Sequence, residues 1–175
     1  RNNPTVVGLD PTLDYIPAQV KAEAFAEYGK TLRGAAHAYL TYNKAIIDAI
    51  CDVVPAVKPQ CAYYELLGWE GVKCLAETIS YAQEKGMYVI TDGKRNDIGS
   101  TMQAYAAAHL GEIEIEGEKC VPFGGDALTV NGYLGTDGIK PLLEVVGDNP
   151  DKGIFVLGKT SNPSSGGPQD RKLGE

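Results

Sequence analysis

The sequence predicts an α/β protein built on a parallel sheet. Three observations carry that expectation. Short apolar runs recur along the chain, segments with helical periodicity separate them, and polar or charged residues follow each apolar run. The runs cover residues 5–9, 53–57, 87–90, 127–130 and 153–157. Their largely continuous apolar character suits parallel strands buried on both faces.

The intervening elements follow in order. Residues 25–50 carry apolar side chains at helical spacing. Residues 71–83 do the same through Val72, Leu75, Ala76 and Ile79, and Lys85-Gly86 supplies a stop signal. Residues 97–110 are rich in alanine and begin beside Ser100 and Thr101, both good capping types. Residues 136–146 predict a shorter helix, closed by Gly147. One segment breaks the alternation. Ile113-Glu114-Ile115-Glu116-Gly117-Glu118-Lys119 has period two with a glycine at its turn, which predicts a small solvated hairpin. The whole chain, 1–175, reads as one domain.

Composition bounds the partners. The chain has 175 residues, 43% of them hydrophobic, enough for one sizeable core. A net charge of −7 disfavours nucleic acid or a membrane surface, either of which calls for a basic face. A single small anionic substrate remains compatible, because a local cationic pocket can form on an acidic protein. Cys51, Cys61, Cys74 and Cys120 are scattered without a C-x-x-C pair, and only His37 and His109 could join them, so no metal site is expected. Cys51, Cys74, Tyr63, Tyr64 and Trp69 read as packing residues, and His37 and His109, both in helix patterns, as packed or surface residues rather than catalytic ones. No segment resembles a signal peptide or is long enough to span a bilayer, and a reduced, cytoplasmic location is the simplest reading.

Two phosphate-binding patterns fail on spacing. Gly29-Lys30-Thr31 ends like a P-loop, but the glycine required five residues earlier is Ala24. No G-x-G-x-x-G follows the first run. Ser164-Ser165-Gly166-Gly167 reads as a flexible loop or as a backbone cradle for phosphate.

The chemistry concentrates in Asp92-Gly93-Lys94-Arg95-Asn96-Asp97-Ile98-Gly99-Ser100-Thr101. Charges crowded at a strand end are costly unless they pair or react. Asp92 and Lys94 are two apart and point to the same side of a strand, and Asp97 follows closely enough to join them. The other runs end in Asp10, Lys58, Asn131, and Lys159-Thr160-Ser161. Ligands of α/β folds bind at the carboxyl ends of the strands, so this recurrence points to a site rather than to one surface ion pair.

Asp92-x-Lys94-x-x-Asp97-Ile98-x-x-Thr101 resembles the signature of the orotidine 5′-phosphate decarboxylase family. With Val7-Gly8-Leu9-Asp10-Pro11 near the start and Lys159-Thr160-Ser161-Asn162-Pro163 near the end, the chain resembles the longer bacterial branch over essentially its whole length. The resemblance implies a (β/α)8 TIM barrel, of which this chain holds the first five βα units. It implies a homodimeric enzyme converting OMP to UMP and carbon dioxide in pyrimidine biosynthesis, without metal or organic cofactor. Lys94 would protonate C6, and Asp92 would lie beside the substrate carboxylate. Asp10 and Lys58 would contact the ribose, with Lys58 completing a Lys-Asp-Lys-Asp row. Asp97 and Thr101 would reach into the partner subunit's site, and Ser161 would meet the pyrimidine. Gly132 stands where this branch leads one to expect proline. Strands six to eight, the phosphate-binding arginine and the closing loop would lie beyond Glu175, and Arg1 looks like an interior start. The alternatives are a metal-dependent sugar-phosphate decarboxylase or aldolase of the same superfamily, and a non-catalytic fragment whose open sheet edges limit its stability.

Overall fold

A computed structural model describes residues 3–147 and 149–171. Arg1 and Glu175, on which two of the expectations above rest, lie outside the described residues. A parallel five-stranded sheet runs in the order β1 (Val6–Leu9), β2 (Ala56–Pro59), β3 (Tyr88–Arg95), β6 (Ala127–Val130) and β7 (Gly153–Val156). Each strand neighbours the next of these in sequence, so helical crossovers join adjacent parallel strands. The hairpin expected from period-two alternation forms as β4 (Ile113–Ile115) and β5 (Glu118–Cys120), paired antiparallel and apart from the main sheet. Glu116 and Gly117, both at positive φ, make its two-residue turn.

Helices α1 (Ala18–Tyr28), α2 (Leu32–Ile50), α3 (Cys61–Glu65), α4 (Gly68–Glu84), α5 (Gly99–Leu110) and α6 (Lys140–Val146) connect the strands, and a short α7 (Gly166–Gln169) follows β7. The single helical stretch expected over 25–50 is in fact two helices. Gly29, at φ 70°, breaks it, and the Thr31 hydroxyl accepts from Gly34 N at 3.1 Å to cap α2. The glycine that suggested a failed P-loop is therefore a helix stop. The second strand begins three residues later than the apolar run implied, because Val53 and Val54 complete the turn after α2 and Val53 is exposed. Ser100 and Thr101 do not cap α5. Its N-cap is Ile98, whose side chain cannot accept a hydrogen bond, and the two hydroxyl residues lie within the first turn. Trp69 is 72% exposed and is not a packing residue.

Strand alternation divides the sheet into two faces. Leu9, Val57 and Val89 point toward α1, α2 and α4 and meet Tyr39, Ile47, Tyr64, Leu75 and Ile79 in the main core. Leu128 and Val130 meet Met102, Ala106 and Leu110 of α5 and Leu142 of α6. A buried polar link ties this core together. Asn43 Nδ2 donates to Tyr64 Oη at 2.9 Å and to Thr78 Oγ1 at 3.2 Å, and Tyr64 Oη donates to Leu9 O at 3.3 Å. The expected burial on both faces holds only in the middle of the sheet. Ile90 and Ala127 are buried on the opposite face, while Val6 and Phe155 on the outer strands are about half exposed.

Close backbone approach sets the α3–α4 corner. A Cβ on Gly71 would stand 1.8 Å from Tyr64 O. Gly71→Ala must push α4 away from α3, and we expect it to destabilise the protein by about 1–3 kcal/mol. Urea denaturation measures this, and wild-type stability in that variant would refute the packing described.

Candidate active site

The sheet face away from the helices carries the candidate residues at its carboxyl end. Asp92 pairs in register with Gln60 of the β2 end through a parallel bridge. On the other side, Thr129 of β6 stands one residue beyond the Thr91–Leu128 pair. The sheet thus brings Gln60, Asp92 and Thr129 side by side. Lys58, two residues before Gln60, shares their face.

Asp92 is the centre. Its residue is 5% exposed, and both carboxylate oxygens are doubly engaged. Lys58 Nζ donates to Oδ2 at 2.6 Å and Gln60 Nε2 to the same oxygen at 3.0 Å. Lys94 Nζ donates to Oδ1 at 2.6 Å and Thr129 Oγ1 to that oxygen at 2.8 Å. Burial pushes the carboxyl up, but the donors from Lys58, Lys94 and Thr129 outweigh it and hold the group down at about 2. Asp92 is therefore an anion at neutral pH. Lys94 is more open than Lys58, with about half of its side chain accessible, so its ammonium borders the space above the sheet.

The backbone around Lys94 is unusual. Lys94 has φ 47°, in the left-handed region that non-glycine residues seldom occupy. The β3–β6 register passes from Thr91–Leu128 to Arg95–Val130, so Asp92, Gly93 and Lys94 together face Thr129. Lys94 N donates to Thr129 Oγ1 at 2.9 Å instead of to a strand carbonyl. On the helix side Arg95 pins the bulge. Its Nη1 donates to Gly93 O at 2.9 Å, its Nη2 pairs with Glu65 of α3, and its guanidinium lies 5.7 Å from the centre of the Tyr105 ring on α5.

The remaining predicted residues are not drawn into this cluster. Asp10 follows β1 and is exposed. Asp97 does not join Asp92 and Lys94. Its Oδ1 accepts from its own neighbour Ile98 N at 2.8 Å, and among the described residues it has no ion pair. Thr101 is exposed on the first turn of α5, and Ser161 is exposed in the loop after β7. Lys159 pairs with Asp170, and Asn131 Oδ1 accepts from Tyr133 N at 2.9 Å in a local turn. His109 is buried, stacked on Phe123 with ring centres 5.0 Å apart, and burial lowers its pKa to about 4, which fits a packing role. Cys61 and Cys74 are buried. Among the described residues no group of three or more His, Cys, Asp and Glu side chains could hold a metal ion. No described helix is long and apolar enough to cross a membrane.

Sequence reasoning missed Gln60 and Thr129. Gln60 lies two residues after Lys58 and so faces the same side, a signal that was available. Thr129 sits inside an apolar run, where threonine reads as an ordinary strand former.

The Asp92 pairing has a pH signature. Its folded-state carboxyl lies below the unfolded value near 4, so its contribution to stability is complete above about pH 4 and disappears as pH falls through about 2. Asp92→Asn has no such titration and leaves two cations without their anion. The stability gap between wild type and Asp92→Asn, read by urea denaturation, should be widest above pH 4 and shrink toward pH 2. A gap constant over that range would contradict the geometry.

Comparison with known proteins follows the same residues. Residues 6–173 match the model of the orotidine 5′-phosphate decarboxylase / HUMPS family. The chain is 49% identical over 166 residues to the orotidine 5′-phosphate decarboxylase of Rhodopirellula baltica, covering 95% of this chain and 53% of that protein. It is 39% identical over 170 residues to that of Caldicellulosiruptor saccharolyticus, covering 97% and 55%. Among solved structures, Leishmania donovani OMP decarboxylase superposes with TM-score 0.71 at 31% identity, over 97% of this chain and 54% of that one. The chain spans about half the length of these relatives. The match to the family model over nearly its whole length makes this chain a member of the orotidine 5′-phosphate decarboxylase / HUMPS family.

Proposed function

We propose that the protein is a cytoplasmic decarboxylase of orotidine 5′-monophosphate that forms UMP and carbon dioxide, with its five strands serving as the first five βα units of a (β/α)8 barrel. The observation that carries this reading is the Lys94 ammonium held 2.6 Å from an ionised, buried Asp92 at the end of β3. Membership of the family and the names of its relatives support it.

Breaking the bond between C6 and the carboxylate leaves the electron pair on C6. Carbon dioxide departs, and a proton must replace it. Lys94 Nζ supplies that proton to C6 and is reprotonated from solvent. A fixed ammonium also stabilises the charge that develops before proton transfer. The Asp92 anion pairs with the lysine and aims it, and its own charge opposes the substrate carboxylate that is lost. Lys58 offsets Asp92 from the other side, so the Lys58–Asp92–Lys94 row carries one net positive charge when substrate is absent. The scheme uses no metal or organic cofactor.

Lys58 and residues outside the cluster take the binding roles. Asp10 and Lys58 contact the ribose, and Ser161 contacts the pyrimidine. Asp97 and Thr101 serve the site of a second subunit in a homodimer. The exposure of Thr101, and the absence of an ion pair for the partly buried Asp97 among the described residues, support that assignment.

Lys94→Ala in the full-length protein should reduce OMP decarboxylation by roughly a thousandfold or more while leaving UMP binding measurable by calorimetry. Near-normal turnover would sink the assignment. Mixing Lys94→Ala with Asp97→Ala subunits should restore one of the two sites in each heterodimer. Recovery of activity on mixing checks the shared site, and no recovery refutes it.

A further inference from the structure

The hydroxyl of Thr129 sits between the two groups on which the proposed reaction depends. It donates to Asp92 Oδ1 at 2.8 Å and accepts from Lys94 N at 2.9 Å. The hydroxyl hydrogen serves one bond and an oxygen lone pair serves the other, so the two do not compete. Among the described residues no other side chain bonds both to Asp92 and to the backbone of Lys94.

Local geometry makes this link more than an extra hydrogen bond. Thr129 alone faces Asp92, Gly93 and Lys94 across the β3–β6 seam. In a regular ladder the Lys94 N–H would meet a strand carbonyl, but the bulge removes that partner and the Thr129 side chain replaces it. Lys94 meanwhile holds a left-handed φ of 47°, a conformation that persists only where its surroundings enforce it. The direction of the Lys94 side chain follows from that backbone.

We propose that Thr129 is a positioning residue: its hydroxyl ties the Asp92 carboxylate to the Lys94 backbone and so sets the aim of the Lys94 ammonium. The proposal rests on the decarboxylase reading. It assigns Thr129 no contact with substrate, so its loss should slow the chemical step and spare binding.

Valine keeps the shape of threonine and neither donates nor accepts, while serine keeps the hydroxyl. In the full-length protein, Thr129→Val should lower kcat for OMP by roughly a hundredfold and change UMP affinity less than about threefold. Thr129→Ser should recover most of the lost kcat. Val and wild type turning over within about threefold of each other, or Ser as slow as Val, would overturn the proposal. If the valine variant does not fold by circular dichroism, the Ser and Ala variants make the same comparison. A loss confined to alanine supports the role, and equal rates overturn it. Wild-type protein with no OMP decarboxylation would bring down the decarboxylase reading together with this role. Active wild type with an equally active valine variant removes Thr129 alone.

Discussion

The Asp92 carboxylate is the constraint on which the upper end of this sheet depends. A buried carboxylate without partners costs several kcal/mol, and removing one partner of a buried pair typically costs about 3–5 kcal/mol. Asp92 avoids that penalty only because four donors converge on it, from the β2 end, from β3 itself and from β6. Each donor is correctly placed only if its strand is in register. The charge therefore links the pairing of three interior strands to one local electrostatic requirement. It also explains a mixed donor set. Two cations balance the anion with net excess positive charge, and two neutral donors fill the remaining lone pairs.

The alternation of β3 assigns its residues to two tasks. Val89 enters the main core, and Asp92 faces the opposite side. Regular alternation then breaks down at Gly93 and Lys94, where the bulge sets in. Arg95 holds that bulge from the helix layer, through Gly93 O, Glu65 and the Tyr105 ring, while Thr129 holds it from the sheet. A left-handed residue gripped from both layers has little freedom to relax. That fits a side chain whose value lies in direction rather than in burial, since Lys94 itself remains half exposed.

The legible parts of the sequence were those governed by short-range rules. Asp92 and Lys94 could be paired because two residues in a strand share a face, and Lys58 because it closes an apolar run. The hairpin at 113–120 followed from period two and a turn glycine. What escaped depended on partners distant in the chain or on a shift of boundary. Thr129 is 37 residues from Asp92, and its role exists only once β3 and β6 are in register. Val53 and Val54 look like strand residues, yet α2 runs so far that they become its closing turn. The helical period also continues across Gly29, so apolar spacing alone concealed the break between α1 and α2. Asp97 was placed with Asp92 on proximity in sequence, but the turn after β3 sends its carboxylate to the local amide of Ile98.

The distribution of the candidate residues over the sheet has its own logic. Lys58, Asp92, Lys94 and Thr129 all lie on or beside the interior strands β2, β3 and β6, each supported by neighbours on both sides. Asp10 follows the outer strand β1, Ser161 follows the outer strand β7, and Asp97 and Thr101 sit on the turn and first helical turn beyond β3. The first group forms a closed set of hydrogen bonds before any ligand arrives. The second group stays out of that set, with side chains still available to a substrate or a second subunit. Proton transfer is sensitive to errors of about 1 Å, whereas hydrogen bonds to a sugar or base tolerate adjustment as the ligand settles. Placing the proposed proton donor on the best-supported strands, and the proposed binding groups other than Lys58 on the margins, meets both demands with one sheet.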